Sequence, residues 1–408
     1  MIKILHTSDL HIGKRLHQAE LAEDQFLFFA WMTNLIEKEK VSALLVSGDI
    51  FDVANPSSES RKIYFELLVR LSRLHCKVII TAGNHDSPAV LEAPREILKE
   101  LDIYVTGSLP AEPDKLLVPV SGDDGKTAVV IAAVPYLREA DLRKYSEEED
   151  ADDRAAAIRN GIIKTFHEAA HQCKSKYPGI PALAMGHLFV QDSIVSEGER
   201  EIQIGNQAGV DATKLPDYFL YYAFGHLHRP QDPVEGRIVY SGAPVKLSFS
   251  ESENENRVML IDIEDERISA VPVPVPTFRK LLRFTGTVEQ LRENLKNLPV
   301  TDSFLSTFIE LDAVEENPDP AKIADLQELA DEFVSESAKI LKSRIRFINQ
   351  PAGTASLYDV DVNIEELKPE DVFRKKIENE NIDAETAEML TEAFRELLEE
   401  AYQKTEER

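Results

Sequence analysis

The chain has 408 residues, and 46 Lys and Arg against 73 Asp and Glu leave a formal charge of −27. At about 150 residues per domain this length predicts two or three domains, and an apolar share of 43% supplies their cores and excludes wholesale disorder. The acidic balance excludes a protein that grips nucleic acid through its overall charge, and the two cysteines, Cys76 and Cys173, exclude a disulfide framework or a Cys-x-x-Cys zinc site. No apolar run approaches the roughly 20 residues that cross a bilayer. The opening Met1 to Leu10 carries His6 and Asp9 in place of the apolar stretch of an export signal. A cytoplasmic protein with no membrane partner is expected.

The first segment alternates strands and helices. Ile2–Thr7 is a short apolar run, and Ala22 to Lys38 spaces Phe26, Phe29, Met32 and Ile36 along one helical face. Val41–Ser47 is continuously apolar and reads as a strand buried on both faces. A helix over Ser58–Leu74 and a strand over Lys77–Thr81 complete three βα repeats, which predict a parallel sheet with helices on its faces. A helix is expected over Ser87–Leu101, and further strands over Ala128–Val134, Pro181–Met185, Tyr221–Phe224 and Ile238–Tyr240. The acidic stretch at 146–153 reads as a solvated loop opening a helix that ends near Cys173.

Val271–Pro276 alternates valine and proline. Such a run cannot feed a central ladder, so it is an edge strand or an extended linker, and a domain boundary falls there. Beyond it the pattern gives a strand over Phe278–Thr285, a helix over Val288–Leu298, a strand over Phe304–Leu311, a long helix over Ala321–Ile340 and a last strand over Ile345–Ile348. The remainder is acidic and helical in pattern. The expected domains are therefore 1–276, a smaller α/β unit at 277–352, and an acidic helical tail at 353–408. There is no internal repeat.

Five short motifs carry the chemistry: Asp9-Leu10-His11, Gly48-Asp49, Gly83-Asn84-His85-Asp86, Gly186-His187 and Gly225-His226-Leu227-His228. Each follows an apolar run read as a strand. Ligands of open α/β sheets lie beyond the carboxyl ends of the strands, so all five motifs converge on one edge. Asp-x-His alone is common surface polarity and Gly-Asp a common turn. Gly-Asn-His-Asp says more, since four polar or turn residues follow directly on a buried strand, while the alternating histidines of Gly-His-x-His also suit packing at a strand end. The order and placement of all five carry the reading. Carboxylate, amide oxygen and imidazole together suit borderline divalent metals such as manganese, iron or zinc. Asp49 can bridge two ions roughly 3.5–4 Å apart. His6 lies inside the first strand and reads as a core residue, whereas His17, His75, His167 and His171 read as structural or exposed.

This ordered set resembles the calcineurin-like metallophosphoesterase superfamily, whose core is layered β-sheets flanked by helices. With ILHTSDLHIGKRL, SGDIFDVANPS, TAGNHDSP, GHLF at 186–189 and YSGAPVKLSFSE at 240–251, the chain is similar over essentially its whole length to the SbcD family of bacterial nuclease subunits. The resemblance implies that Asp9, His11, Asp49 and His228 hold one manganese ion and that Asp49, Asn84, His187 and His226 hold the other. It implies that His85 is no ligand, facing the scissile phosphate instead. Asp86 orients that imidazole or caps a helix starting at Ser87; Asp52 supports His85 or the metal shell, or is a turn residue. Protein phosphatases of the superfamily carry an arginine where this chain has Val53, which speaks against a phosphoprotein substrate.

The resemblance further implies metal-dependent DNA cleavage, exonucleolytic on duplexes and endonucleolytic on single strands, in repair, recombination and replication. It implies an SbcC-type coiled-coil ATPase as partner, bound by the tail from about Asp371 to Gln403, with the unit at 277–352 acting as a capping domain. It also implies a homodimer through helices near the site, with Ile63, Tyr64, Leu67, Leu68, Leu71, Val90, Leu91, Ile97, Leu98 and Leu101 as candidates shared with the core. Lys14, Arg15, Arg229, Arg61 and Lys62 flank the motifs, either as phosphate contacts or as ordinary surface charges. The competing readings are a phosphodiesterase of small phosphoesters and a non-catalytic scaffold of the same fold.

Overall fold

The computed structural model describes residues 2–142, 151–195, 209–264, 267–298 and 303–349. The tail at 353–408 and most of the acidic stretch at 146–153 lie outside the described residues. From the N-terminus run β1 (Ile2–Thr7), a short ribbon of β2 (Arg15–Leu16) and β3 (Ala19–Glu20), α1 (Ala22–Glu39), β4 (Ala43–Ser47), α2 (Ser58–Leu71) and β5 (Lys77–Thr81). Next come α3 (Pro88–Glu92), α4 (Arg95–Lys99), β6 (Ile103–Thr106), β7 (Leu117–Ser121), β8 (Thr127–Ala133), α5 (Glu139–Leu142) and α6 (Ala151–Lys176). Then follow β9 (Ala182–His187), β10 (Tyr222–Gly225), β11 (Gln231–Val234), β12 (Ile238–Tyr240), β13 (Arg257–Glu264) and β14 (Arg267–Pro274).

These strands form two six-stranded sheets, ordered β14-β13-β1-β4-β5-β6 and β11-β12-β10-β9-β8-β7. The expected parallel run exists as β1, β4, β5 and β6, but it is half of the arrangement. The second sheet has its own parallel centre of β12, β10, β9 and β8. The inner faces meet in a dry layer, with Ile4, Leu45 and Ile79 against Ile131, Leu183, Met185, Ala223 and Val239. The outer face of the first sheet carries Leu44, Val46, Val78 and Ile80, covered by Phe28, Phe29, Met32 and Ile36 of α1 and by Leu67, Leu68 and Leu71 of α2. The outer face of the second carries Val130, Ala184, Tyr222 and Phe224 under Ile162, Phe166, Ala169 and Cys173 of α6. Central strands buried on both faces explain the unbroken apolar runs in the sequence.

The valine–proline run is the edge strand β14, paired only with β13, with Pro272 opposite Met259 and Pro274 opposite Arg257. The helix expected over Ser87–Leu101 is two short helices parted at Pro94, whose ring removes a backbone donor and crowds the preceding turn. After Pro276 come β15 (Leu281–Gly286), α7 (Val288–Lys296), β16 (Thr307–Glu315), α8 (Pro320–Asp331) and β17 (Ala338–Phe347), the strands pairing in the order β15-β16-β17. The long helix expected over Ala321–Ile340 therefore ends at Asp331 and gives way to a strand. Between them Ser335 and Ser337 form a local turn, the Ser335 hydroxyl accepting from the Ser337 amide at 3.2 Å, and such side-chain bonds compete with helix.

The described residues divide into two compact units. One takes residues up to Arg283 with segments reaching Glu310 and Val334–Leu341; the other takes Phe284–Leu298, Leu311–Phe333 and the chain from Lys342. The division thus falls inside β15, beyond the proline run. Within the second unit, α7 opens with a capping box between Thr287 and Gln290, and Asp312 on β16 is held by Arg344 and Arg346 of β17 at 2.8–3.1 Å.

Candidate metal centre

The carboxyl ends of β1, β4, β5, β9 and β10 deliver the five motifs to one rim, which the two sheets supply jointly. Asp9, His11, Asp49 and Asn84 come from the first sheet, and His187, His226 and His228 from the second. Their close approach depends on glycines. A Cβ on Gly225 would lie 1.9 Å from the Ser47 carbonyl, and one on Gly83 would lie 2.1 Å from Asp49 Oδ1. Asp9, His11, Asp49 and His226 all have positive φ, at 53°, 42°, 48° and 102°. Such backbone costs non-glycine residues energy and gathers at functional sites.

The side chains face one another in the buried rim. Asp49 Oδ2 lies 3.3 Å from His187 Nε2 and 3.5 Å from His11 Nε2, while its Oδ1 accepts from the His85 amide at 3.0 Å. Asn84 Oδ1 stands 2.9 Å from His187 Nε2 and 3.0 Å from His226 Nδ1. Asp9 Oδ1 accepts from the His226 amide at 2.9 Å, and the Ser8 hydroxyl donates to Oδ2. One ligand atom each from Asp9, His11 and His228 falls within 4.8 Å of the others, and the same holds for Asp9, Asp49 and His187.

Three of the imidazoles are oriented from behind. His187 Nδ1 donates to the Ser47 carbonyl at 2.9 Å, which turns Nε2 into the site. His11 Nδ1 is held by Asp52 Oδ1 at 3.1 Å and His228 Nδ1 by Glu251 Oε1 at 3.0 Å. Such outer carboxylates fix ring orientation and tautomer. Asp52 has a second duty, since its main-chain carbonyl accepts from His85 Nδ1 at 2.7 Å, leaving Nε2 of that ring available. His11, Asp52 and His85 also cluster, but these hydrogen bonds account for that cluster without an ion.

Burial lowers His11 to about 4, and burial with the neighbouring His187 lowers His226 to about 3, so both rings are neutral near pH 7. Burial alone would lower His187 too, but Asp49, Asp9 and the Ser47 carbonyl outweigh it and raise it to about 9. Burial would raise Asp49, yet its histidine contacts hold it well below the usual carboxylate range. Asp9 is raised to about 6, chiefly by burial. The donor set fits divalent cations. His11 Nε2 is buried with no hydrogen-bond partner among the described residues and stands 3.5 Å from Asp49 Oδ2, an arrangement that a metal ion satisfies, and the mixture of oxygen and imidazole donors suits borderline metals.

The rim gathers all seven predicted ligand residues, with His85 beside them. Asp86 does neither thing expected of it. Its carboxylate accepts from the Ile50, Phe51 and Gly83 amides at 2.8–3.0 Å, so it joins the Asp49 loop to the Asn84 loop, and Ser87 caps α3 without a side-chain bond. Glu251 escaped the sequence reading because nothing in its spacing, 23 residues from His228, ties the two together. Of the flanking cations, Lys14 is engaged by Asp52 at 3.1 Å, Arg61 donates to Asn55 and Lys62 pairs with Glu59, while Val53 is exposed.

A two-sheet core with this rim defines a calcineurin-like phosphoesterase, and the sequence model of that family, "Calcineurin-like phosphoesterase", matches residues 2–230. A second model, described as the "Type 5 capsule protein repressor C-terminal domain", matches residues 277–381. The SbcD chain of the nuclease SbcCD from Rhodobacter capsulatus is 35% identical over 315 residues, 74% of this chain and 77% of the relative. Its namesake from Escherichia coli K12 is 27% identical over 410 residues, 96% of this chain and 97% of the relative; that from Bacillus subtilis is 30% identical over 253 residues, 61% and 63%. The chain belongs to the SbcD family of calcineurin-like phosphoesterases.

Proposed function

We propose that this chain is the manganese-dependent nuclease subunit of an SbcC–SbcD type complex, hydrolysing DNA phosphodiesters at the rim. The observation that carries the proposal is the convergence of six candidate ligand side chains around Asp49, with His85 next to them and held differently. Asp9, His11, Asp49 and His228 would hold one ion; Asp49, Asn84, His187 and His226 would hold the other. When bound, a cation pair activates water and offsets charge on the phosphoryl oxygens.

The chain's own residues do the remaining work. Asp49 Oδ1 fixes the backbone of His85, and Asp52 fixes its ring with Nε2 facing outward. From there the imidazole hydrogen-bonds the scissile phosphate or gives a proton to the departing oxygen. Asp52 also neutralises Lys14, which holds the charge of that corner in balance. A net charge of −27 leaves bulk DNA affinity to the partner ATPase, bound by the tail at 353–408, with the unit at 277–352 as the capping domain. A homodimer would use the apolar residues that α2 to α4 leave outside the core. Tyr64, Leu67, Leu68, Leu71, Leu91 and Leu98 are buried, whereas Phe65, Val69, Ile97 and Leu101 are exposed.

The test is cleavage of a blunt DNA duplex and of bis(4-nitrophenyl) phosphate, with manganese, with and without an SbcC-type ATPase. Manganese-dependent DNA cleavage that the partner strengthens is the expected result. Turnover of the small ester alone, with intact DNA under every condition, would replace the proposal with a small-molecule phosphodiesterase.

A further inference from the structure

Gln25, in the first turn of α1, is 1% exposed, and its side-chain hydrogen bonds among the described residues all run to backbone. Its amide serves the loop that carries Asp9 and His11. Gln25 Nε2 donates to the His11 carbonyl at 2.6 Å and the Leu10 carbonyl at 3.2 Å, and its Oε1 accepts from the Gly13 amide at 3.5 Å. That loop runs through positive φ at Asp9, His11 and Gly13, a conformation that persists only where the surroundings impose it. From one side the imposition comes from the loop after β4, since the Asp9 and His11 amides donate to the Gly48 and Asp49 carbonyls at 3.1 and 3.0 Å. From the other side it comes from Gln25.

The turn bearing Gln25 is itself fixed. The neighbouring Asp24 is buried and gripped through both oxygens by Arg279 at 3.0–3.1 Å, and the guanidinium lies 3.9 Å from the centre of the Phe308 ring. An anchored helix turn therefore presents one amide to one loop of the rim. Asn84, His187 and His226 stand on other loops, to which Gln25 makes no hydrogen bond among the described residues.

We propose that Gln25 is a positioning residue for one of the two cations, the one that Asp9, His11 and His228 would hold with the shared Asp49, and weighs less on the other. This rests on the two-cation reading of the rim. A residue that merely stabilised the fold would weaken both ions together, so unequal loss is the signature.

The test is manganese titration of the full chain, with free Mn(II) followed by electron paramagnetic resonance. Gln25→Glu keeps the length and the acceptor but replaces the amide donors by a carboxylate facing carbonyls. Gln25→Asn keeps the amide on a shorter stem and carries the same test should the first variant not fold. The expected result is two equivalents bound by the unaltered chain and, in the variant, one equivalent weakened roughly 10–100-fold, the range seen for outer partners of metal ligands. Adding Gln25→Glu to His11→Ala, which already weakens that ion, is expected to cost little more. Equal weakening of both ions, or of neither, overturns the role of Gln25 alone. Failure of the unaltered chain to bind any divalent ion overturns the two-cation reading and this proposal with it.

Discussion

His85 and the candidate ligands around it differ in what their backs are tied to. His187, His11 and His228 have Nδ1 engaged by Ser47, Asp52 and Glu251, and His187 and His11 turn Nε2 toward the Asp49 carboxylate. His85 has its amide on Asp49 and its ring on the Asp52 carbonyl, so it is placed by the centre without being needed to hold it. His85→Gln is therefore expected to retain full manganese content while turnover on DNA falls by about 10²–10⁴-fold; elemental analysis beside a cleavage assay checks both halves, and loss of metal would make His85 a ligand. Glu251→Gln should do the reverse. It removes the charge that backs His228 and should weaken manganese binding about 10–100-fold, read by titration with a competing chelator. The place of His85 at the rim was legible in the sequence because it lies in a motif beside Asn84, while the role expected of it came from the family resemblance. Glu251 was not, because a contact across a fold leaves no local spacing to find.

Elements hold the loops in place, and their limits explain where the sequence was readable. Apolar runs such as Ala43–Ser47 announce a strand buried on both faces, and the residue after each run is where chemistry is exposed, so five motifs could be placed without seeing the fold. Periodicity does not say which sheet a strand joins, and the second parallel centre of β8, β9, β10 and β12 was invisible for that reason. The helix expected over Ala321–Ile340 failed because apolar residues at 333–334, 338 and 340–341 fit either period, and the serine turn between them decided the matter. Asp86 ties two of these elements together. Asp86→Asn replaces one accepting oxygen by an NH2 group facing backbone N–H groups, and should lower stability by about 1–3 kcal/mol, measured by urea unfolding of the metal-free protein. An unchanged unfolding midpoint would show that the two loops need no stitch. By contrast Ser57→Ala acts at the start of α2, where Ser57 Oγ accepts from the Ser60 amide at 3.1 Å and shares a hydrogen bond with the Ser60 hydroxyl at 2.9 Å; about 0.5–2 kcal/mol should be lost with DNA cleavage unaltered, and a thermal melt with an assay tests it.

At the scale of the whole molecule, an acidic chain of net charge −27 concentrates buried acids and imidazoles at one rim, and the proton balance there follows from its neighbours. In the metal-free protein Asp49, Asp9 and the Ser47 carbonyl outweigh burial and hold His187 up to about 9. A group raised in the folded state contributes stability that is fully present below its unfolded value of 6.5 and is lost as pH rises through about 9. His11 and His226, lowered to about 4 and about 3, carry no proton to lose at neutral pH. Metal ligation requires neutral imidazole, so the proton on His187 must leave when a cation enters. Calorimetric titration of manganese at pH 7.5, repeated in buffers of different ionisation enthalpy, should therefore show release of about one proton per chain. Apparent affinity should rise by about tenfold per pH unit through neutrality and level off above pH 9. His187→Gln should bind manganese more weakly and release no proton. Uptake that is independent of buffer and pH would mean that His187 is already neutral in the metal-free rim, and that Asp49 is paired with something other than its imidazolium.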